Sequence, residues 1–310
     1  MSTINYTGIE GYYYFALSGT GSLTINGELW PEKLTKDNMI VFQKSDPNIG
    51  SGTPKTFVIQ GTITWFQCYE TSQLVIEGSD LEYLDCNPNG KLSELNLSGQ
   101  TNLRTLLCYS YSGSSGLTSL NVKGCSSLDT LYCNRQKITG LDVSGLTSLK
   151  TLNCSDNEIN DLKLDRCTNL TTLSCDSNRL DFLDISTCLN LKDLSCRNNQ
   201  FRSLQFNSAS LREFAFGDQP FESVDLIGCP SLETINYFSN DSLKVLNLSN
   251  HTQFKNLRCV TFTNNLPSFL DASGCSSLET ITMVSNNDRI EKMNINGCTS
   301  LRKIYHDWNG

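Results

Sequence analysis

The sequence has little charge, few histidines and no long apolar run. Only 18% of its 310 residues are charged, against about 25% in typical soluble proteins. Its 24 basic and 32 acidic residues give a net charge of −8. The basic residues form no cluster, which argues against nucleic acid or an anionic membrane surface as the partner. No apolar run reaches the roughly 20 residues of a membrane span.

Groups typical of catalytic and metal sites are also scarce. There are two histidines, His251 and His306, and the 14 cysteines form no C-x-x-C motif, so the usual zinc and redox spacings are absent. Gly19-Thr20-Gly21 lacks the third glycine of a nucleotide-binding loop. We predict that the protein is not an enzyme and holds no cofactor or metal. His306 is expected in the core and His251 in a solvated loop.

What the sequence does contain is a repeat with a period of 21 residues. The repeat predicts about ten coils between residues 81 and 309, each too thin to bury its apolar residues without its neighbours. Cys86 and Cys108 extend the most regular column backwards, and Cys68 is expected to join it. The regular members and the predicted continuation are Cys133, Cys154, Cys175, Cys196, Phe216, Tyr237, Phe262, Met283 and His306.

Each repeat divides into two similar halves. The first reads L-x-x-L-x-C-x-x-N and the second L-x-x-L-x-L-x-x-C. Both halves alternate apolar and polar residues at period two, which is typical of strands. A half of ten or eleven residues is too short for a strand and a helix. The pattern therefore predicts two parallel ladders of short strands, facing each other across a thin core, with little helix.

Two further columns are expected at the turns between strands. Buried Asn side chains at the end of the first half would satisfy backbone groups left unpaired there. Stacked Cys residues at the end of the second half would have poor disulfide geometry, so we predict free thiols. Cys259 falls outside both columns and is expected to be an outward, reactive thiol. The columns are Asn157, Asn178, Asn199, Asn240, Asn265, Asn286 and Asn309, and Cys125, Cys167, Cys188, Cys229, Cys275 and Cys298.

These patterns resemble the leucine-rich repeat, in the short nested form of bacterial surface and internalin-like proteins. The segments 141–145 and 152–157 are most similar to repeats from Bacteroidetes. The resemblance implies a right-handed solenoid of the α/β superhelix class that serves as a binding surface. It also implies display on the cell surface or secretion. Residues 1–11 show no signal segment, so either the protein is made in the cytosol or a signal segment has been removed. The ending in mid-repeat favours a natural chain that continues over an end that pairs with another molecule.

Residues 1–62 lack the repeat and are predicted to form a small all-β N-terminal cap, followed by the solenoid over residues 63–310. Asn26-Gly27 between alternating residues is a hairpin signal. Longer coils are expected at 109–116 and 249–257, where extra residues would form loops.

The outward positions of the first-half strands give the candidate binding face. Interfaces favour Tyr, Phe and Arg, although single aromatic residues scattered on an ordinary surface would explain the same pattern. The predicted partner-binding residues are Tyr109, Tyr132, Asn153, Asp176, Arg197, Asn236 and Phe238.

We predict a non-enzymatic binding or adhesion module that engages a protein partner through this face. The alternatives are a glycan-binding surface protein, for which exposed Tyr and Phe beside Asn and Asp would suit, and a structural spacer. The oligomeric state stays open. A column of second-half carboxylates is expected to be solvated surface rather than a glycosidase pair: Asp142, Asp184, Asp225 and Asp271.

Overall fold

The computed structural model describes residues 2–8, 12–31, 33–45, 55–69, 71–78, 80–87, 92–110, 116–218, 220–221, 223–238, 243–261, 267–285 and 290–308. In these ranges every regular secondary-structure element is a β-strand. The chain divides into an N-terminal unit, residues 1–167, and a C-terminal unit, residues 168–310.

The strands of the N-terminal unit are β1 Ser2–Gly8, β2 Tyr12–Ile25, β3 Glu28–Leu29, β4 Ile40–Ser45, β5 Lys55–Tyr69, β6 Thr71–Glu77, β7 Tyr83–Asp85, β8 Glu94–Asn96, β9 Thr105–Leu107, β10 Ser119–Asn121, β11 Thr130–Tyr132, β12 Gly140–Asp142, β13 Thr151–Asn153 and β14 Asp161–Lys163. Those of the C-terminal unit are β15 Thr172–Ser174, β16 Asp193–Ser195, β17 Ser203–Asn207, β18 Glu213–Phe216, β19 Ser223–Gly228, β20 Thr234–Phe238, β21 Val245–Asn247, β22 Asn256–Thr261, β23 Phe269–Asp271, β24 Thr280–Ser285, β25 Lys292–Asn294 and β26 Lys303–Trp308.

The first part of the chain is antiparallel. β1 pairs with β5 and β6, and β2 pairs with β3, β4 and β5. In its core the ring of Phe15 packs between those of Tyr6 and Phe66, with centroid distances of 5.6 Å to Tyr6 and 6.0 Å to Phe66. β5 continues without a break past residue 62 and pairs in parallel with β7. The division into a cap and a solenoid at that residue stays a prediction.

The rest of the described chain forms the two series of parallel strands that the repeat predicted, so the solenoid architecture is confirmed. The first ladder joins β5, β7, β9, β11 and β13 in the N-terminal unit, and β15, β16, β18, β20, β22, β24 and β26 in the C-terminal unit. The second ladder consists of the pairs β8–β10, β12–β14 and β17–β19 and the sheet β21–β23–β25.

Inward side chains of both ladders fill the core. Leu106, Leu131 and Leu152 lie side by side in the first ladder and are fully buried. All 14 cysteines are free, and all but Cys298 are buried. Burial raises the pKa of the Cys68, Cys108 and Cys133 thiols in the column well above the usual value. The expected columns of reduced thiols therefore fit the structure.

Buried amides close the turns after the first ladder, as predicted. The side chain of Asn157 donates to the carbonyl oxygens of Cys133, Cys154 and Ser155 at 3.0–3.2 Å and accepts the Ile138 N–H at 3.0 Å. Each coil is thereby tied to the one before it. Asn199 repeats this pattern, and Asn178 repeats part of it. The other four predicted members of the column lie outside the described residues: Asn240, Asn265, Asn286 and Asn309.

A second column closes the turns after the second ladder. The Cys275 thiol donates to the Leu248 carbonyl at 2.9 Å, and Cys125 and Cys167 make equivalent bonds. His251 occupies the same column, since its backbone N–H also bonds the carbonyl three residues earlier. It is only 6% exposed, so the prediction of a solvated His251 is wrong: the side chain fills a position that Cys fills elsewhere.

Cys259 belongs to the inward column, contrary to the sequence prediction. It pairs with Tyr237 on one side and with Met283 on the other, so it stands where Phe262 was expected. Cys259 is 1% exposed, and burial raises its pKa to about 12. It is therefore not an outward reactive thiol. Phe262 lies outside the described residues, and β26 pairs His306 with Met283, the position predicted for it.

Cys259 and Phe262 were misassigned because the extra residues of this coil do not lie at 249–257, where they were expected. Leu246 and Leu257 are separated by 11 positions, as Leu141 and Leu152 are, so the segment 249–257 has ordinary length. The longer connection instead runs from Leu257 in β22 to Leu270 in β23. In the N-terminal unit, pairing of Leu106 with Leu131 agrees with extra residues at 109–116, of which 111–115 lie outside the described ranges.

Candidate binding face

The outward side of the first ladder in the N-terminal unit carries a concentration of aromatic side chains. Phe66, Leu84, Leu106 and Leu131 point inward and are fully buried, so the residues that alternate with them point outward. We call the following set of half-buried residues the aromatic face: Trp65, Tyr69, Tyr83, Tyr109 and Tyr132.

Cross-strand pairing holds these rings in place. Trp65 in β5 lies opposite Tyr83 in β7, and their rings stack with centroids 5.5 Å apart and planes 12° from parallel. Tyr69 packs against Tyr14 of β2, with centroids 4.8 Å apart. Aromatic pairs of this kind add about 1 kcal/mol beyond the area that they bury. The rings are thus fixed on strands rather than carried on loops.

A carboxylate lies beside the stacked rings. Asp85 is 9% exposed, and it accepts the Gln67 side-chain amide at 2.8 Å and the Asn87 backbone N–H at 3.1 Å. The same amide nitrogen donates to the Tyr69 hydroxyl at 2.7 Å. Burial raises the pKa of Asp85, and these hydrogen bonds offset the rise only in part. Burial, and then the charges of Asp85 and Tyr69, raise the pKa of Tyr83.

Three predicted residues lie on this side of the N-terminal unit. β9 and β11 place Leu107 beside Tyr132, and β13 places Asn153 beside Tyr132. Tyr109 follows Leu107 by two positions and is half-buried. The Asn153 side chain accepts the Ser155 N–H at 3.1 Å, so it caps a turn. The structure therefore places Tyr109, Tyr132 and Asn153 on the same side of the first ladder.

In the C-terminal unit, two predicted residues bind each other. The Arg197 guanidinium donates to Asp176 at 2.7 Å and 3.1 Å, and the Arg197 N–H and Ser195 hydroxyl donate to the other carboxylate oxygen at 2.7 Å. The side chains are 38% and 15% exposed. Asp176 therefore neutralises the charge of Arg197 within the fold, and the role of both residues in binding stays a prediction.

One of the two remaining predicted residues lines a shallow groove in the C-terminal unit. Asn236 lines it together with Ser174, Ser195 and Ala215, and its volume is about 120 Å³. Phe238 ends β20, and its side chain lies outside what the structure describes. The groove is small, and its lining mixes polar residues with Leu173, Leu194 and Phe214, so it offers little surface for a large ligand.

The outward residues that precede the regular array could not be found from the repeat. Trp65, Gln67, Tyr83 and Asp85 were not among the predicted site residues. The segment Trp65-Phe66-Gln67-Cys68 matches Tyr83-Leu84-Asp85-Cys86 position by position. That match was the available signal: Cys68 was expected in the same column as Cys86, but the residues around it were not assigned to the outward side.

The outward carboxylates of the second half have a structural role. Asp142, Asp184, Asp225 and Asp271 each accept the backbone N–H two residues ahead, at 2.8–2.9 Å. Hydrogen bonds from the side chain and backbone of the following serine lower the pKa of Asp142 and Asp184. These groups stabilise turns. Within the described ranges, no cluster of three or more His, Cys, Asp or Glu residues could hold a metal ion.

Among the described residues there is no helix of the length and apolarity that a membrane crossing requires. No protein-family model matches the chain, and no curated protein matches its sequence.

Several solved structures are similar to this chain. The functional domain of InlJ from Listeria monocytogenes, which includes a cysteine ladder, is 21% identical over 76% of this chain and 63% of its own, with a TM-score of 0.43. TLR13 in complex with ssRNA13 is 17% identical over 73% of this chain and 36% of its own, with a TM-score of 0.53. The leucine-rich-repeat domain of APL1 is 18% identical over 68% and 62%, with a TM-score of 0.41.

The chain spans less than two thirds of the length of each of these three structures. At such identities the likeness concerns the fold alone. Together with the paired parallel ladders, the likeness to TLR13, with a TM-score of 0.53, shows that the chain has the leucine-rich-repeat solenoid fold.

Proposed function

We propose that the protein is a non-enzymatic recognition module that binds a protein partner through the aromatic face. The observation that carries the proposal is the grouping of five half-buried Trp and Tyr side chains on one side of one ladder, four of them on strands and Tyr109 two residues beyond β9. Tyr and Trp are enriched at interfaces and provide much of the binding energy there. Because strands hold the rings, little conformational entropy is lost when a partner binds.

On other surfaces the charged groups are engaged within the fold, which favours the aromatic face as the binding surface. In the C-terminal unit, Arg197 and Asp176 bind each other. On the second ladder, carboxylates such as Asp142 hold turns. A non-enzymatic role is supported because these groups already serve the fold.

As part of the same proposal, the module acts in adhesion outside a bacterial cell. The resemblance of its repeats to internalin-like surface proteins supports this setting. A protein partner is favoured over a glycan because leucine-rich repeats serve mainly as surfaces for protein recognition.

The proposal is tested by binding of the purified protein to intact cells and to cell-surface extracts. We expect binding to disappear after the cells are treated with protease and to persist after treatment with glycosidases. Tyr132→Ala should weaken binding about tenfold, the equivalent of about 1.4 kcal/mol. Tyr305→Ala is the matched control, since Tyr305 is an exposed tyrosine on β26 of the other unit.

Two results would overturn the proposal. Binding that survives protease but is lost with glycosidases would make the ligand a glycan. Equal binding by Tyr132→Ala, Tyr305→Ala and the unmodified protein would remove the aromatic face from the interaction.

A further inference from the structure

We infer that the aromatic face contains a site for one arginine side chain of the partner, formed by the Asp85 carboxylate and the stacked rings of Trp65 and Tyr83. This inference rests on the proposed function and specifies the chemistry of the residue that the partner inserts.

The first observation is that Asp85 lacks a compensating cation. Among the described residues, no Lys, Arg or His lies within ion-pair distance of its carboxylate. Its two oxygens accept hydrogen bonds from Gln67 and Asn87. A carboxylate has about four lone-pair positions, so each oxygen retains acceptor capacity. A buried charge of this kind is unfavourable until a cation binds it.

The second observation is the position of the rings. Tyr83 and Asp85 alternate with the inward Leu84 on β7, so both point outward, about 6.6 Å apart along the strand. Trp65 and Gln67 stand in the same relation on β5, directly opposite them. The aromatic rings and the carboxylate therefore form adjacent rows on the outward side of these two strands.

Arginine fits this arrangement better than lysine. Its planar guanidinium stacks on aromatic rings and donates two parallel hydrogen bonds to one carboxylate. A lysine ammonium is a compact, strongly hydrated charge, which suits a half-buried site less well. A sugar would bring hydroxyl groups and no charge to compensate Asp85.

The charge of the whole chain points the same way. With a net charge of −8, the protein attracts cationic segments and repels anionic ones at low ionic strength. A basic segment of a protein partner, with one arginine in contact with Asp85, is the occupant that this charge distribution favours.

The test measures arginine binding by the fluorescence of Trp65, which is part of the proposed site. The sequence has three tryptophans, so Trp30→Phe combined with Trp308→Phe leaves Trp65 as the only one. This variant is titrated at low salt with N-acetyl-arginine amide, N-acetyl-lysine amide and N-acetyl-citrulline amide. We expect a saturable change in Trp65 fluorescence with arginine, with a dissociation constant on the order of millimolar. Lysine should bind at least about threefold more weakly, and citrulline should give no saturable change.

A variant pair adds a second arm. Asp85→Asn should weaken arginine binding at least about tenfold, because the shape and one hydrogen-bond acceptor remain while the charge is lost. Asp193→Asn is the matched control, since Asp193 belongs to the first ladder of the other unit. Circular dichroism of both variants establishes that they fold. The comparison of arginine with citrulline needs no change at Asp85, so it stands even if Asp85→Asn does not fold.

The inference is overturned if citrulline or lysine binds as well as arginine, if a folded Asp85→Asn retains the affinity, or if arginine gives no saturable change. Failure here is distinguishable from failure of the proposed function. If arginine does not bind but Tyr132→Ala still weakens cell binding, only the arginine site is wrong. If arginine binds but Tyr132→Ala leaves cell binding unchanged, the protein-recognition face is wrong.

Discussion

Replacing Asn157 by alanine tests the physical logic of the solenoid most sharply. Its side chain accepts the Ile138 N–H and donates to three carbonyl oxygens, two in its own turn and that of Cys133 in the preceding coil. Alanine would leave the buried Ile138 N–H without its acceptor, which costs about 1–3 kcal/mol. The lost donors to the carbonyl oxygens add about 1 kcal/mol. We therefore expect the free energy of unfolding to fall by about 2–4 kcal/mol.

Urea denaturation monitored by circular dichroism measures this change. Asn190→Ala is the matched control, because the exposed Asn190 side chain makes one hydrogen bond, to the Thr168 carbonyl; we expect a loss below about 1 kcal/mol. The m value of each variant shows whether unfolding still exposes the same surface. Equal stabilities of the two variants would refute the idea that buried amides tie successive coils together.

Three further predictions concern single side chains. Asp85→Asn should stabilise the protein at neutral pH. Because the pKa of Asp85 is raised in the fold, the stability of the unmodified protein declines as pH rises from the usual aspartate range through that raised pKa. The variant should lack this decline in urea titrations between pH 3 and about 7. His251→Ala should lower the free energy of unfolding by about 2 kcal/mol. The reason is that the ring nitrogens contact the carbonyl oxygens of Leu248 and Leu226 at 3.0 Å and 2.9 Å. An unchanged urea midpoint would contradict this prediction. Cys259 should react with a thiol reagent only after unfolding, and mass spectrometry that finds it labelled in the native protein would contradict its burial.

Most of the fold could be predicted because its physical causes are periodic. A column such as Cys133 and Cys154, at a fixed spacing, can be explained only by stacked coils. The alternation around Leu131 and Leu152 identifies strands, and the polar Asn157 among apolar neighbours identifies a turn that needs an amide. Each of these inferences uses many copies of one pattern.

The errors arise where the period breaks. Cys259 and Phe262 are both apolar and only three positions apart, so spacing alone did not decide which one continues the column. His251 lies 22 residues after Cys229 and 24 before Cys275, which places it in the turn column, but its residue type suggested a solvated loop.

For the same reason, the candidate binding face could be predicted only in part. Tyr109 and Tyr132 lie within the regular array and could be assigned to its outward side. Trp65 and Tyr83 lie where the antiparallel strands join the first ladder. Their place next to Asp85 depends on the pairing of β5 with β7, which no 21-residue spacing reveals.

Hydrogen–deuterium exchange with and without a captured protein partner tests the central claim most directly. If the aromatic face binds the partner, exchange should slow at residues 65–69, 83–85, 105–109 and 130–132, while the second-ladder strands β8, β10, β12 and β14 keep their rates. Slower exchange confined to the second ladder, or to the C-terminal unit, would contradict the claim.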